Sequence, residues 1–348
     1  MLNIGFVATL ALFLFALITW GVRHLPAERW QMLAAVPIAK AADGSWLGLN
    51  LTFYGFFSAS GTTFGCLMLL LLLASVGLPI YVSCALIGFV LLVCVPSSRL
   101  IAGMVERKRN TFTIAGAAFT ATILLPPLVI AASAAARQKF SIPVLPVFAA
   151  AINAYVLAEA IGRLACISFG CCYGLPLRDA RPWLAQLFRS HSLILEGSNK
   201  KASYASGFSG EPLIPVQALT SALFAMGGVA GIALFLAERY RLAALIPLLT
   251  SYGWRACSEW LRADYRGASK VSPYQIMTII SLVYLAVAIV LVPDAGGIKP
   301  DLIAAFRQMI SAWVLVLSQL LWMLLFLYYG RSRVTSSVLS FHVVADRI

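Results

Sequence analysis

Charge is scarce in this chain. Only 11% of its 348 residues are Asp, Glu, Lys or Arg, against 61% hydrophobic. That balance excludes a soluble globular domain. Apolar runs of about 20 residues recur instead, each long enough to cross a bilayer as a helix. Strand-like alternation is missing, which argues against a membrane β-barrel. Acidic residues are scarcer than basic ones, 13 against 26, for a formal charge of +13. In a soluble protein that excess would suggest nucleic acid. Here the basic residues sit in short loops and helix ends, where membrane phosphates are the nearer partner. No Lys/Arg run has the form of a nucleic-acid arm, so nucleic acid is not expected as a partner. The N-terminus lacks a basic n-region, and its first apolar run lacks a small-residue cleavage site, so that run reads as a retained helix rather than a signal peptide. The seven cysteines do not form a disulfide framework. Cys66, Cys84 and Cys94 lie in apolar runs as small hydrophobes.

What is present reads as an all-α polytopic membrane bundle. Nine spanning helices are expected, at about 3–22, 48–75, 79–97, 112–136, 143–166, 215–236, 242–261, 274–293 and 311–329. A loop carrying His24, Glu28, Arg29, Lys40 and Asp43 follows the first. Arg107-Lys108-Arg109 form a basic loop, and Pro126-Pro127 should kink the fourth helix. Residues 175–214 are the one long polar insertion, too short for a domain with its own core, and read as a cap on the bundle. The tail, 331–348, reads as polar and loose.

The most unusual stretch is 158–174, which closes the fifth helix. It carries Glu159 and Arg163 at bilayer depth, then three cysteines and three glycines in a turn. A charge there costs at least about 2.5 kcal/mol, so it is retained for function or pairing. Glu159 and Arg163 are four apart and can pair on one helix face. Arg255–Glu259 and Glu259–Arg262 are spaced i,i+4 and i,i+3, so Glu259 is expected to serve both arginines. Because successive spanning helices alternate in direction, Arg99, Arg163, Arg255, Tyr54 and Gln217 fall at one membrane face. Converging guanidiniums suit a phosphodiester headgroup. For Arg99 and Arg262, snorkelling to the headgroups is an equal alternative. Cys166, Cys171 and Cys172 have no nearby His and do not match a usual zinc spacing, so no metal and no other cofactor is expected. They read either as small residues filling a glycine-rich turn or as a thiol activated by adjacent cations.

The string Gly162-Arg163-Leu164-x-Cys166-(x3)-Gly170-Cys171-Cys172-Tyr173-Gly174 resembles the signature of prolipoprotein diacylglyceryl transferases, and more closely that of their cysteine-rich diverged relatives. Tyr54-Gly55, Ser98-Arg99-Leu100, Pro215-x-Gln217, Tyr252-Gly253-x-Arg255-(x3)-Glu259-(x2)-Arg262 and Gln275 are similar to further motifs of that family, in the same order. The resemblance covers about residues 48–293, with 1–47 and 294–348 as additions. It implies a seven-helix transferase core in the bacterial inner membrane. The family moves the diacylglyceryl group of phosphatidylglycerol to the lipobox cysteine of a preprolipoprotein. On that template Arg163, Arg255 and Tyr54 are catalytic. Arg99, Glu259, Arg262, Gly162, Gly174 and Gln217 bind substrate, and Cys166, Cys171 and Cys172 are candidate thiols. The chain also departs from the family: its His-Gly-Gly segment reads Thr113-Ile114-Ala115-Gly116, its signature Asn and Glu are Cys166 and Cys171, and its Tyr-Glu is Leu219-Thr220. Those losses leave open a non-catalytic anionic-lipid protein or a transferase with another acceptor. The basic residues also crowd the loops on the Arg163 side, and the positive-inside rule would make that side cytoplasmic.

Overall fold

The computed structural model describes residues 2–106, 113–136, 142–265, 271–293, 296–339 and 346. The expected basic loop, Arg107-Lys108-Arg109, lies outside the described residues, as do Arg137, Lys139, Arg266 and Lys270.

The chain is mostly helical. In order come α1 (Leu2–His24), strands β1 (Met32–Lys40) and β2 (Trp46–Thr52), then α2 (Phe53–Ser75), α3 (Ile80–Glu106), α4 (Ile114–Ala136) and α5 (Val144–Phe169). The polar insertion holds α6 (Pro182–Phe188), β3 (Leu193–Ile194), α7 (Lys201–Ser206) and β4 (Pro212–Leu213). The bundle resumes with α8 (Val216–Leu236), α9 (Tyr240–Ser258) and α10 (Pro273–Leu291), and ends with α11 (Leu302–Met309), α12 (Ala312–Gly330) and β5 (Arg331–Leu339). Among the described residues eight helices are long and apolar enough to cross a membrane: α1–α5, α8, α10 and α12. The chain is a multi-pass membrane protein. The expected ninth span corresponds to α9, which does not reach that apolarity. Arg241, Ser251, Tyr252 and Arg255 make it the most polar of the long helices, and its buried face packs inside the bundle.

Two expectations are corrected. Within the expected polytopic helical bundle, residues 32–52 form an antiparallel hairpin rather than a loop and a helix start, and 331–339 add a third strand in the order β1-β2-β5. Over those residues the tail is therefore paired, not loose. The third helix also runs past 97 to Glu106, carrying Pro96 inside it. Within a membrane bundle neighbouring groups re-satisfy the hydrogen bond a proline removes.

Helix α5 is the axis of the molecule, buried along most of its length. Small residues let its neighbours approach. Gly61 and Gly65 of α2 face the backbone at Ala158 and Ala154 of α5, and a Cβ on Gly61 would stand 2.6 Å from the Ala158 oxygen. Gly228 of α8 backs onto Leu157 and Gly231 onto Asn153. Such small-residue crossings replace the hydrophobic drive that lipid cannot supply. Asn153 donates from Nδ2 to the Ala149 and Ala243 carbonyls, at 2.8 and 2.7 Å, tying α5 to α9. The insertion packs over one end of the bundle. Its Leu193, Leu195, Ala202 and Leu213 join Leu25, Leu164 and Tyr173 in a second buried cluster over the ends of α1 and α5.

Candidate functional site

The last turns of α5 carry Tyr155, Glu159 and Arg163 on one face. Glu159 Oε2 accepts from Arg163 Nη2 at 2.8 Å, the expected i,i+4 pair. The same oxygen also accepts from Arg255 Nη2 of α9. Glu159 and Arg255 are buried, and the Arg163 side chain is only 12% exposed. Two guanidiniums share one carboxylate, which leaves one net positive charge inside the bundle. Among the described residues, Arg163 Nε and Arg255 Nε are buried with no hydrogen-bond partner, and so is the Tyr155 hydroxyl. The Arg255 guanidinium stands 5.7 Å from the Tyr155 ring centre.

An apolar cavity of about 300 Å³ ends at this cluster. It lies between the α3–α4 pair and α2 and α5, which line it. On α5 its lining runs from Val147 to Glu159 and Gly162. At 1.5 Å per residue that is a slot about 22 Å long, most of the ~30 Å hydrocarbon depth. Tyr54, Tyr155, Tyr252 and Tyr329 border it, and Tyr252 and Thr122 hydroxyls meet at 2.7 Å between α9 and α4. A Cβ on Gly162 would meet nothing within 4 Å, so this glycine leaves the slot open. Glu159 lines the cavity; its partners Arg163 and Arg255 are not among the lining residues.

Helix α5 ends at Gly170, left-handed at φ 72°, whose N–H bonds the carbonyls of Cys166 and Ile167. Cys171 N–H bonds the Cys166 carbonyl as well, at 3.1 Å. Cys172 is also left-handed, at φ 57°, a conformation that costs a side-chain-bearing residue about 1–2 kcal/mol. This turn brings the Sγ atoms of Cys166, Cys171 and Cys172 within 4.8 Å of one another. Hydrogen bonds from Cys166 and Cys172, together with burial, push the Cys171 thiol well above its ordinary range. Gln217 is buried and donates from Nε2 to the Cys171 carbonyl at 3.0 Å, so it holds the turn. Gly174 packs against the Ile214 carbonyl where a Cβ would not fit, and pairs its backbone with Arg262. Tyr54 lies edge-on to Phe169 at 5.6 Å and within electrostatic reach of all three cysteines.

Three sequence expectations are corrected. Glu259 does not serve both arginines of the α9 region. It meets Arg262 at 3.5 Å and accepts from Ser272 at 3.0 Å, while Arg255 turns inward to Glu159. Arg262 is not a snorkelling side chain. Asp264, absent from the expected site, takes it in a two-bond clamp at 2.8 Å each. Burial opposes its charge, but Cys172, Asp264 and Glu259 hold its pKa well above the ordinary value. Arg99 does not join the guanidinium cluster. It is exposed, stacks over the Tyr328 ring at 4.2 Å, and has no ion pair among the described residues. Gln275 is structural too, completing a capping box with Ser272 at the start of α10.

Sequence reasoning missed Asp264 and Tyr155. Tyr155 was legible, one turn before Glu159 on the same face. Asp264 follows the helix end, where helical spacing carries no information. Lys200 was also missed. It is fully buried under the cap, its Nζ donating to the Leu25 and Ser168 carbonyls at 2.9 and 2.6 Å, and burial lowers its pKa to about 8.

No protein-family model matches this chain, and no characterised protein matches its sequence.

Proposed function

We propose that this bundle takes an anionic phospholipid as donor, with acyl chain in the α2–α5 cavity and phosphodiester at Arg163 and Arg255, and transfers its diacylglyceryl group to a thiol. The observation that carries this reading is the junction of a long apolar slot with a buried cluster of net charge +1 whose two Nε–H groups have no partner among the described residues. A phosphodiester brings one negative charge and two acceptor oxygens, which match that deficit. Ordered sequence similarity to prolipoprotein diacylglyceryl transferases supports phosphatidylglycerol as the donor and the bacterial inner membrane as the location. In such a transfer a carbon–sulfur bond forms at the glyceryl carbon, the carbon–oxygen bond to phosphate breaks, and glycerol phosphate leaves. The thiol proton goes to solvent or a base, and guanidiniums stabilise charge on the departing phosphate. Tyr54 and Gly162 border the path of the lipid, while Gln217, Gly174 and the Glu259–Arg262 pair hold the turn around it.

The test is turnover of phosphatidylglycerol by the chain in lipid nanodiscs with a thiol acceptor. Arg163→Ala and Arg255→Ala should each lower the rate by at least about 100-fold. Arg163→Lys keeps the charge without the two-pronged geometry and should also lose rate while remaining folded. Unchanged turnover in all three would sink the reading.

A second reading is lipid binding without turnover, or transfer to an acceptor other than a lipobox cysteine. Glu159 favours it, because this carboxylate already engages both guanidiniums and lines the cavity, which neither arginine does. The basic excess on the site face favours it as well, since a cytoplasmic site cannot meet a translocated preprolipoprotein. Stoichiometric binding of phosphatidylglycerol with no released glycerol phosphate identifies this case.

A further inference from the structure

Three thiols meet at the end of α5, and lipid transfer needs none of them as a group. Cys166 lies in the last turn of the helix, and Cys171 and Cys172 follow the Gly170 stop. Their Sγ atoms are mutually within 4.8 Å. Three thiolates around a cation at a metal–sulfur distance of about 2.3 Å stand about 4 Å apart. Sulfur movements under about 1 Å, within reach of small side-chain rotations, close that triangle.

The surrounding chain holds the three in place. Cys171 N–H is bonded to the Cys166 carbonyl, and the Cys171 carbonyl accepts from Gln217 of α8. Cys172 is held left-handed at φ 57°. Gly174, two residues on, is paired with the backbone of Arg262. Three separate parts of the chain thus fix one five-residue turn, more than a filler turn needs.

We propose that Cys166, Cys171 and Cys172 bind a single thiophilic d10 cation, Cu(I) or Zn(II). Soft thiolates select these ions over harder ones. No His or carboxylate joins the three sulfurs in a ligating cluster among the described residues. That favours Cu(I), which is satisfied by three thiolates, over Zn(II), which adds a fourth ligand. Binding converts three thiols to thiolates: three S–H bonds break, three metal–sulfur bonds form, and three protons leave to solvent. The complex then carries charge −2 with Cu(I) or −1 with Zn(II). Arg163, within electrostatic reach of Cys166 and Cys172, and Arg262, within reach of Cys172, are the nearest cations and moderate that charge while keeping their carboxylate partners.

The experiment is anaerobic titration of the full chain, reduced and in detergent, with Cu(I) against a chromophoric Cu(I) chelator, and in parallel with Zn(II) against a zinc chelator. One ion per chain is expected, with affinity falling at least 100-fold in each of Cys166→Ser, Cys171→Ser and Cys172→Ser. Cys257→Ser, which alters an exposed thiol away from the cluster, should bind as the wild type does. Sulfur-to-metal charge-transfer absorption should appear with Cu(I) and vanish in the three variants. Stoichiometric uptake of either ion with that dependence supports the site and names its ion. Absence of 1:1 uptake by the reduced chain, or uptake indifferent to the three substitutions, overturns it. The readout does not involve lipid, so it stands or falls separately from the transferase reading.

Discussion

Glu159 is the residue on which the ion cluster depends, and its two partners differ in how they could be known. Arg163 lies one helical turn away, so the pair was legible in spacing alone. Arg255 lies 96 residues away. The local rule assigned it to Glu259, because i,i+4 spacing says which groups can meet and not which partner wins. Burial decided: Arg255 points into the bundle, where an unpaired charge is costly, and Glu159 is the carboxylate there. Removing one partner from a buried ion pair costs about 3–5 kcal/mol. Glu159→Gln should therefore lower the thermal midpoint in detergent, and phosphatidylglycerol should restore more of it than it adds to the wild type. Equal lipid shifts in the two proteins would mean that phosphate does not reach the arginines. Lys200 carries a second residue-scale prediction. Its folded pKa, about 8, is below the usual 10.5. Between these values the unfolded chain holds a proton that the folded chain has released, so folding becomes more favourable as pH rises from about 8 to 10.5. The gain is on the order of 3 kcal/mol, and below pH 8 both states are charged and the burial cost is fully expressed. Lys200→Met should remove this dependence, seen as a thermal midpoint difference between the two proteins that changes across that window.

Glycines separate packing from function at the scale of elements. Gly61 of α2 faces the α5 backbone so closely that a methyl group would press on the Ala158 oxygen. Gly162 of α5, one turn beyond Ala158, faces the open cavity. Alanine at these two positions should act oppositely. Gly61→Ala should destabilise the bundle by about 1–3 kcal/mol through forced separation of α2 from α5. Gly162→Ala should leave stability equal or raise it by up to about 1 kcal/mol through helix propensity. Gly162→Leu should fill the head of the slot and weaken phospholipid binding without unfolding. Thermal midpoints and lipid titrations of the three variants check this; equal destabilisation by both alanines would mean that the cavity does not extend to Gly162. From sequence the two glycines look alike, each set in a small-residue run of an apolar helix. The strands show the same limit. Residues 46–52 continue an apolar run into α2, and only pairing with 32–40 and 331–339 makes them strand.

For the molecule as a whole, sidedness decides which acceptor can reach the site. The ends of α1, α5 and α9 and the starts of α2, α8 and α10 gather around the cysteine turn, so the cap and the β1-β2-β5 sheet lie at the same face as the arginines. The basic excess of that face predicts that residues 175–214 are cytoplasmic. An impermeant thiol reagent on intact cells should then fail to label a cysteine placed in the exposed 205–207 segment, and should label it after permeabilisation. Labelling of intact cells would instead put the site where a lipobox cysteine arrives. Much of this molecule was legible in its sequence. Apolar run length set the membrane class and eight of its spans, because crossing a bilayer requires about 20 apolar residues whatever their neighbours. Helical periodicity paired Glu159 with Arg163, and alternation of spans placed Tyr54, Arg163, Gln217 and Arg255 at one face. Tertiary structure alone decided the rest. It gave Arg255 to Glu159, opened a slot between α3–α4 and α2–α5, tied the cysteine turn to Gln217 of α8, and recruited the tail into a sheet. Each of these outcomes depends on which surfaces pack together and which charges are left without water. Those quantities belong to contacts between segments distant in sequence, and no local pattern records them.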